Sequence, residues 1–161
     1  MITLATALRV ADIFWPAFVE QDGCVFLARE IRGPVDLAQH RTRTAAESFQ
    51  NHVHVIDVFR HAIPGAEHPE DGYWVWEESH RDFERAWQLG RRLTEMWAAK
   101  LGAEFPDRAF RIYLTRRDTP IVRFHEVRAG ETPWADDAEV AARGAADDLL
   151  VVQTRTYARA G

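Results

Sequence analysis

Apolar residues Leu4, Leu8 and Ala11, with Phe14 beyond them, recur at helical spacing, which predicts a helix over 4–13 with Thr3 as its N-cap and Pro16 ending it. The pattern then changes period. Ala17 to Glu20 and Cys24 to Ala28 are short apolar runs separated by Gln21-Asp22-Gly23, and Asp-Gly between such runs is a strong hairpin signal. A turn on Asp22 and Gly23 pairs Val19 with Phe26 and Phe18 with Leu27, leaving both faces largely apolar. Such a hairpin belongs inside a sheet or under a helix. Residues 30–43 show no period, and Gly33-Pro34 breaks them, so they read as a lid or a surface crossing.

Thr44-Ala45-Ala46-Glu47 has the spacing of a capping box, and Phe49, Val53, Ile56 and Ile63, with Phe59 beside them, extend a helical stripe to Pro64-Gly65. A helix is therefore expected over 44–63. The acidic stretch 67–84 carries Tyr73-Trp74-Val75-Trp76, a short strand or an aromatic loop. Ser79-His80-Arg81-Asp82 offers a second capping box before the clearest stripe in the chain: Phe83, Ala86, Trp87, Gly90, Leu93 or Thr94, Trp97 and Leu101. Gly90 within that stripe weakens the helix by about 1 kcal/mol relative to Ala, so a close neighbour is expected there. Gly102 is the expected stop.

Three strands follow, over 110–117, 121–128 and 149–157, with an acidic Ala-rich stretch over 129–148. A three-residue loop from Arg117 to Thr119 pairs Leu114 with Val122 and Ile112 with Phe124 and yields one apolar face. A two-residue loop would set Leu114 against Arg123. The order of elements gives an α+β fold, in which a single-layer antiparallel sheet of about five strands packs on two or three helices. That order resembles the cone-shaped fold of nuclear-transport-factor-2-like proteins, where a curved sheet wraps a helix and often encloses a pocket. The resemblance is one of order and implies no residue role.

At 161 residues and 47% hydrophobic content, with no linker and no repeat, the chain reads as one globular domain over 1–161. A single cysteine, Cys24, excludes an intrachain disulfide framework and paired-thiolate zinc, and it suits a reducing cytoplasm. No apolar run approaches the roughly 20 residues of a membrane span, so a soluble, non-membrane protein is expected. The net charge of −5 argues against nucleic acid as a partner. Nineteen of the twenty basic residues are Arg, but in an Ala-rich chain this composition reflects a GC-rich coding sequence, and only the placement of arginines is informative. Residues 107–128 hold six Arg and the following twenty hold six carboxylates, blocks expected to neutralise each other within the fold or across a dimer.

The signatures of phosphate loops, dinucleotide folds, zincins and nucleophile elbows are absent, so no cofactor is expected and serine hydrolysis loses its sequence support. Strand alternation places Arg111, Tyr113, Arg123 and His125 on one face, with Arg155 and Tyr157 of the last strand able to join them. Guanidinium forks suit a carboxylate or phosphate and an imidazole can move a proton, so His125 is the catalytic candidate and the other five are ligand-binding candidates. The competing reading is a solvated outer face. His54, Asp57 and His61 lie along one edge of the expected helix, but Glu47 and Asn51 on the same edge favour a solvated face, and no metal site is assigned. Trp87 and Trp97 belong to a core stripe, whereas Trp74 and Trp76 are candidates for a partner surface. Two functions stay open: a small cytoplasmic protein that binds or acts on a small anionic or aromatic ligand through the Arg/Tyr/His face, or a non-catalytic interaction protein, such as a homodimer, with a Trp-rich surface.

Overall fold

The computed structural model describes residues 3–56, 65–67, 74–116 and 119–155, with 65–67 and 74–76 described through their backbone. Helix α1 spans Leu4–Phe14, and the Thr3 hydroxyl accepts from the Thr6 amide at 3.1 Å, as a cap should. Its apolar stripe does not face the core: Leu4 is 86% and Leu8 67% exposed, and Ile13 is the buried residue. The hairpin forms as expected, with β1 (Phe18–Gln21) and β2 (Cys24–Leu27) paired Val19 to Phe26 and Phe18 to Leu27. Asp22 and Gly23 both take positive φ, 51° and 78°, the conformation a tight two-residue turn requires.

Helix α2 is much shorter than its stripe suggests. It covers Arg43–Gln50, capped by Thr42 rather than Thr44, and the chain then turns into β3 (His52–His54). Val53 and Ile56 are buried as the stripe requires, but from a strand and the turn after it, while Phe49 stays 64% exposed. Phe59 and Ile63 lie outside the described residues. Strands β4 (Gly65–Glu67) and β5 (Trp74–Trp76) form a two-stranded ribbon.

Helix α3 runs from Arg81 to Glu104 with His80 as its cap, and it continues through Gly102. Every residue of its expected stripe is buried, including both alternatives Leu93 and Thr94. Gly90 has its close neighbour: an added Cβ would meet Leu114 Cδ1 at 2.7 Å. Trp97 donates from Nε1 to the Ile13 carbonyl at 2.8 Å, which ties α3 to the end of α1.

Strands β6 (Phe110–Thr115), β7 (Ile121–Glu126) and β8 (Leu149–Gln153) join β3 in a four-stranded antiparallel sheet of order β3-β7-β6-β8. The first hairpin is a separate ribbon rather than a fifth strand, but the fold is α+β. The register is the expected one, with Leu114 opposite Val122 and Ile112 opposite Phe124. Phe110, Ile112, Leu114, Val122 and Phe124 pack on Phe83, Trp87, Leu93, Trp97 and Leu101 of α3. The opposite face is also covered. The acidic stretch contains helix α4 (Asp137–Ala145), capped by Asp136, and with Trp134 and Ala135 it encloses a second apolar cluster on Tyr113 and Leu149.

The hairpin is held to the sheet by side chains of α2. Glu47 and Asn51, both fully buried, lie one helical turn apart between two strand edges. On β2, Val25 N–H donates to Glu47 Oε1 at 2.8 Å, Leu27 N–H to Asn51 Oδ1 at 2.9 Å, and Asn51 Nδ2 to the Val25 carbonyl at 2.7 Å. On β7, Glu126 N–H donates to Glu47 Oε2 at 2.7 Å and Phe124 N–H to the Asn51 carbonyl at 3.2 Å. Arg128 closes the cluster with a bidentate pair to Glu47 at 2.7 and 2.8 Å. Glu47→Ala leaves two strand amides and a largely buried guanidinium without their acceptor. We expect a loss of about 3–5 kcal/mol, measured by urea unfolding. A loss below about 1 kcal/mol would show that water replaces the carboxylate.

Candidate functional site

Cross-strand pairing brings four of the expected site residues together. Arg111 lies opposite His125, and Tyr113 opposite Arg123, all on the sheet face away from α3. Arg155 is exposed, two residues beyond β8, and does not join them; Tyr157 lies outside the described residues. His54 is on β3 and not on a helix edge, and Asp57 and His61 are outside the described residues.

The face is neither open nor solvated throughout. Trp134 stands edge-on to Tyr113 with ring centroids 5.2 Å apart, and the Arg123 guanidinium stacks 4.2 Å from the Trp134 ring. Glu131 anchors the same segment to the start of α2 by accepting from the Thr44 amide at 2.7 Å. Burial pushes the Glu131 carboxyl up, but the Thr44 hydrogen bonds and Arg128 pull it below the ordinary value overall. Two clefts remain, one on either side of Pro133. One of about 330 Å³ is lined by Thr44, Arg111, His125, Arg128 and Asp137 among others; the second, of about 300 Å³, by Thr44, Phe49, Arg123 and Trp134 among others.

His125 is 1% exposed, and both ring nitrogens are engaged. Its Nδ1 lies 2.8 Å from the Glu126 carbonyl, which can only accept, so Nδ1 carries the proton. Nε2 therefore accepts, from the Tyr113 hydroxyl at 2.9 Å and from the Trp134 amide at 3.3 Å. Burial holds His125 below its ordinary pKa; the Glu126 carbonyl and Glu47 oppose this, while Arg111 and Arg128 reinforce it. Burial likewise raises the Tyr113 phenol, so both groups are neutral across the physiological range.

The arginines differ in what they touch. Arg111 donates to Gln153 at 3.1 Å and pairs with Asp137 at 3.1 Å. Arg116 pairs with Asp147, so the basic and acidic blocks do neutralise each other in part within the chain. Arg128 bridges Glu47 and Glu126, and Arg108 bridges Glu20 and Glu126. Burial pushes the Arg128 guanidinium down, but the Glu47 carboxylate more than restores it. Arg123 has no carboxylate partner among the described residues, and its Nε is buried without a hydrogen bond. Burial, with Arg143 nearby, lowers its pKa.

From sequence, Trp134 is one of five tryptophans able to line a pocket, with no link to the Arg/Tyr/His face, and Arg128, which lines the first cleft and is held by Glu47, was missed. For the segment covering the face there was a signal: Asp136 and Glu139 have capping-box spacing ahead of an Ala-rich run, and Asp136 accepts from the Glu139 amide at 2.8 Å. No family model, curated protein or solved structure matches the chain.

The histidine gives a pH signature. A group held neutral in the fold but titrating near 6.5 when unfolded contributes fully above that pH, and the contribution is lost as the pH falls below it. We expect urea-unfolding stability to drop between about pH 7.5 and 5.5, and His125→Gln to flatten that drop. An identical pH slope in the variant would assign the dependence to other groups.

Proposed function

We propose that this protein binds a small anion on the Arg/Tyr/His face of its C-terminal strands. One observation carries the reading: the segment 131–137 folds back over a face lined by guanidinium groups and leaves clefts of about 330 and 300 Å³ beside them. A sheet face serving only as a solvated exterior has no need of that cover. Binding is favoured over turnover. His125 uses both nitrogens to fix Tyr113 and the Trp134 amide, so it acts as a positioning group unless a ligand displaces one of them. A cytoplasmic setting is part of this reading and rests on cysteine usage alone, since a chain with one cysteine, Cys24, forms no intrachain disulfide. Titrating inorganic phosphate, acetate and benzoate into isotope-labelled protein tests the proposal. At least one is expected to shift amides of residues 111–125 and 131–137 saturably, and Arg123→Ala to weaken that binding about tenfold. Shifts confined to other surfaces, or none, would sink it.

A second reading has its own observation. Leu4, Leu8 and Trp15 recur along one side of α1 and its cap and are 86%, 67% and 53% exposed, an apolar stripe suited to a partner or a second copy of the chain. No helix among the described residues is long and apolar enough to cross a membrane. Sedimentation should then show a concentration-dependent dimer that Leu8→Asp abolishes; a monomer at all accessible concentrations removes the self-association form of this reading.

A further inference from the structure

Arg123 stands apart from the other arginines around the face. Arg108, Arg111, Arg116, Arg128 and Arg143 each have a carboxylate at 3.4 Å or closer. Arg123 has none among the described residues, although burial takes much of its guanidinium out of water and Arg143 adds repulsion. A desolvated cation without a counterion is costly, and the 4.2 Å stack on Trp134 offsets only part of that cost. Its Nε is buried without a hydrogen bond while the residue as a whole is only partly buried, which leaves the guanidinium open to an anion in the cleft that Arg123 lines.

The same cleft limits what that anion is. The helix amides at its mouth are occupied, Thr44 N–H by Glu131 at 2.7 Å and Ala45 N–H by Thr42 at 3.0 Å, so they offer no further donors to a phosphate dianion. One unpaired guanidinium matches one carboxylate, whose two oxygens fit the planar fork. Beside the hydroxyl residues Thr44, Ser48 and Thr132, the lining has an apolar and aromatic part in Ala45, Phe49, Pro133 and Trp134. Phe49 is 64% exposed at this rim, held against His40 at a centroid distance of 5.7 Å, and its ring lacks the cover that a buried aromatic has. A volume of about 300 Å³ lies at the lower end of small-molecule sites and suits one or two rings.

Resting on the anion-binding reading above, we infer that this cleft takes a planar aromatic monocarboxylate, with the carboxylate on Arg123 and the ring against Phe49. The face of Trp134 is already occupied by the guanidinium, so Phe49 is the ring that remains for stacking.

The test compares 2-naphthoate, cyclohexanecarboxylate, acetate and inorganic phosphate by calorimetric or chemical-shift titration of the full chain. 2-Naphthoate is expected to bind at least about tenfold tighter than acetate and phosphate, and tighter than cyclohexanecarboxylate. Phe49→Ala changes an exposed side chain and so keeps the protein folded; it should remove most of the naphthoate advantage and leave acetate unchanged. Arg123→Lys keeps the charge but loses the fork, and should weaken all three carboxylates about tenfold. Phosphate binding tighter than naphthoate, or naphthoate binding indifferent to Phe49, overturns the aromatic carboxylate while leaving a general anion site standing. Failure of all four probes to bind, or binding unaffected by Arg123, overturns both.

Discussion

Two strand edges face each other across a gap in this fold, that of β2 and that of β7, and neither tolerates burial with its amides unpaired. Helix α2 solves the problem with two side chains. Glu47 and Asn51 present a carboxylate and an amide at the spacing of one helical turn, and together they supply the acceptors, and one donor, that a strand in that position would supply. The position of α2 follows from this constraint, and so does the burial of Arg128, which neutralises the carboxylate. Because α2 is fixed there, its first turn is available to receive Glu131, and Glu131 in turn holds the segment that covers the sheet.

The elements legible in the sequence are those whose burial is periodic. The α3 stripe, the Asp-Gly hairpin and the β6–β7 register were each set by a single repeating rule, and the structure keeps all three. The expected helix holds over 44–50 but not over 51–56, because Phe49, Val53 and Ile56 satisfy a helical period by accident. Tertiary demand overrides it, since Val53 pairs with Val122 and the edge of β7 needs β3. Buried Glu47 and Asn51 looked like a solvated face because a polar residue carries no mark in one sequence of whether a strand edge awaits it.

The same distinction runs through the candidate site. Alternation placed Arg111, Tyr113, Arg123 and His125 on one face, but alternation says nothing about what lies above it. Trp134 and the segment around it decide which cation is paired and which is stacked, and they give the acceptor nitrogen of His125 a second donor. The roles of these side chains are thus set by residues well outside the strands that bear them.

Glu47 has a further consequence, in the order of events during synthesis. Its partner on β2, Val25, lies 22 residues before it, but Glu126 and Arg128 come 79 and 81 residues after it. While the chain leaves the ribosome, hairpin and α2 can meet early, yet the carboxylate between them has no counterion until the last strands emerge. Contacts of such long sequence separation slow folding, and they make the N-terminal hairpin wait on the C-terminal third of the chain. Nascent chains stalled before residue 128 would therefore carry an exposed apolar β2 and an unneutralised acid, a combination that chaperones recognise and proteases reach.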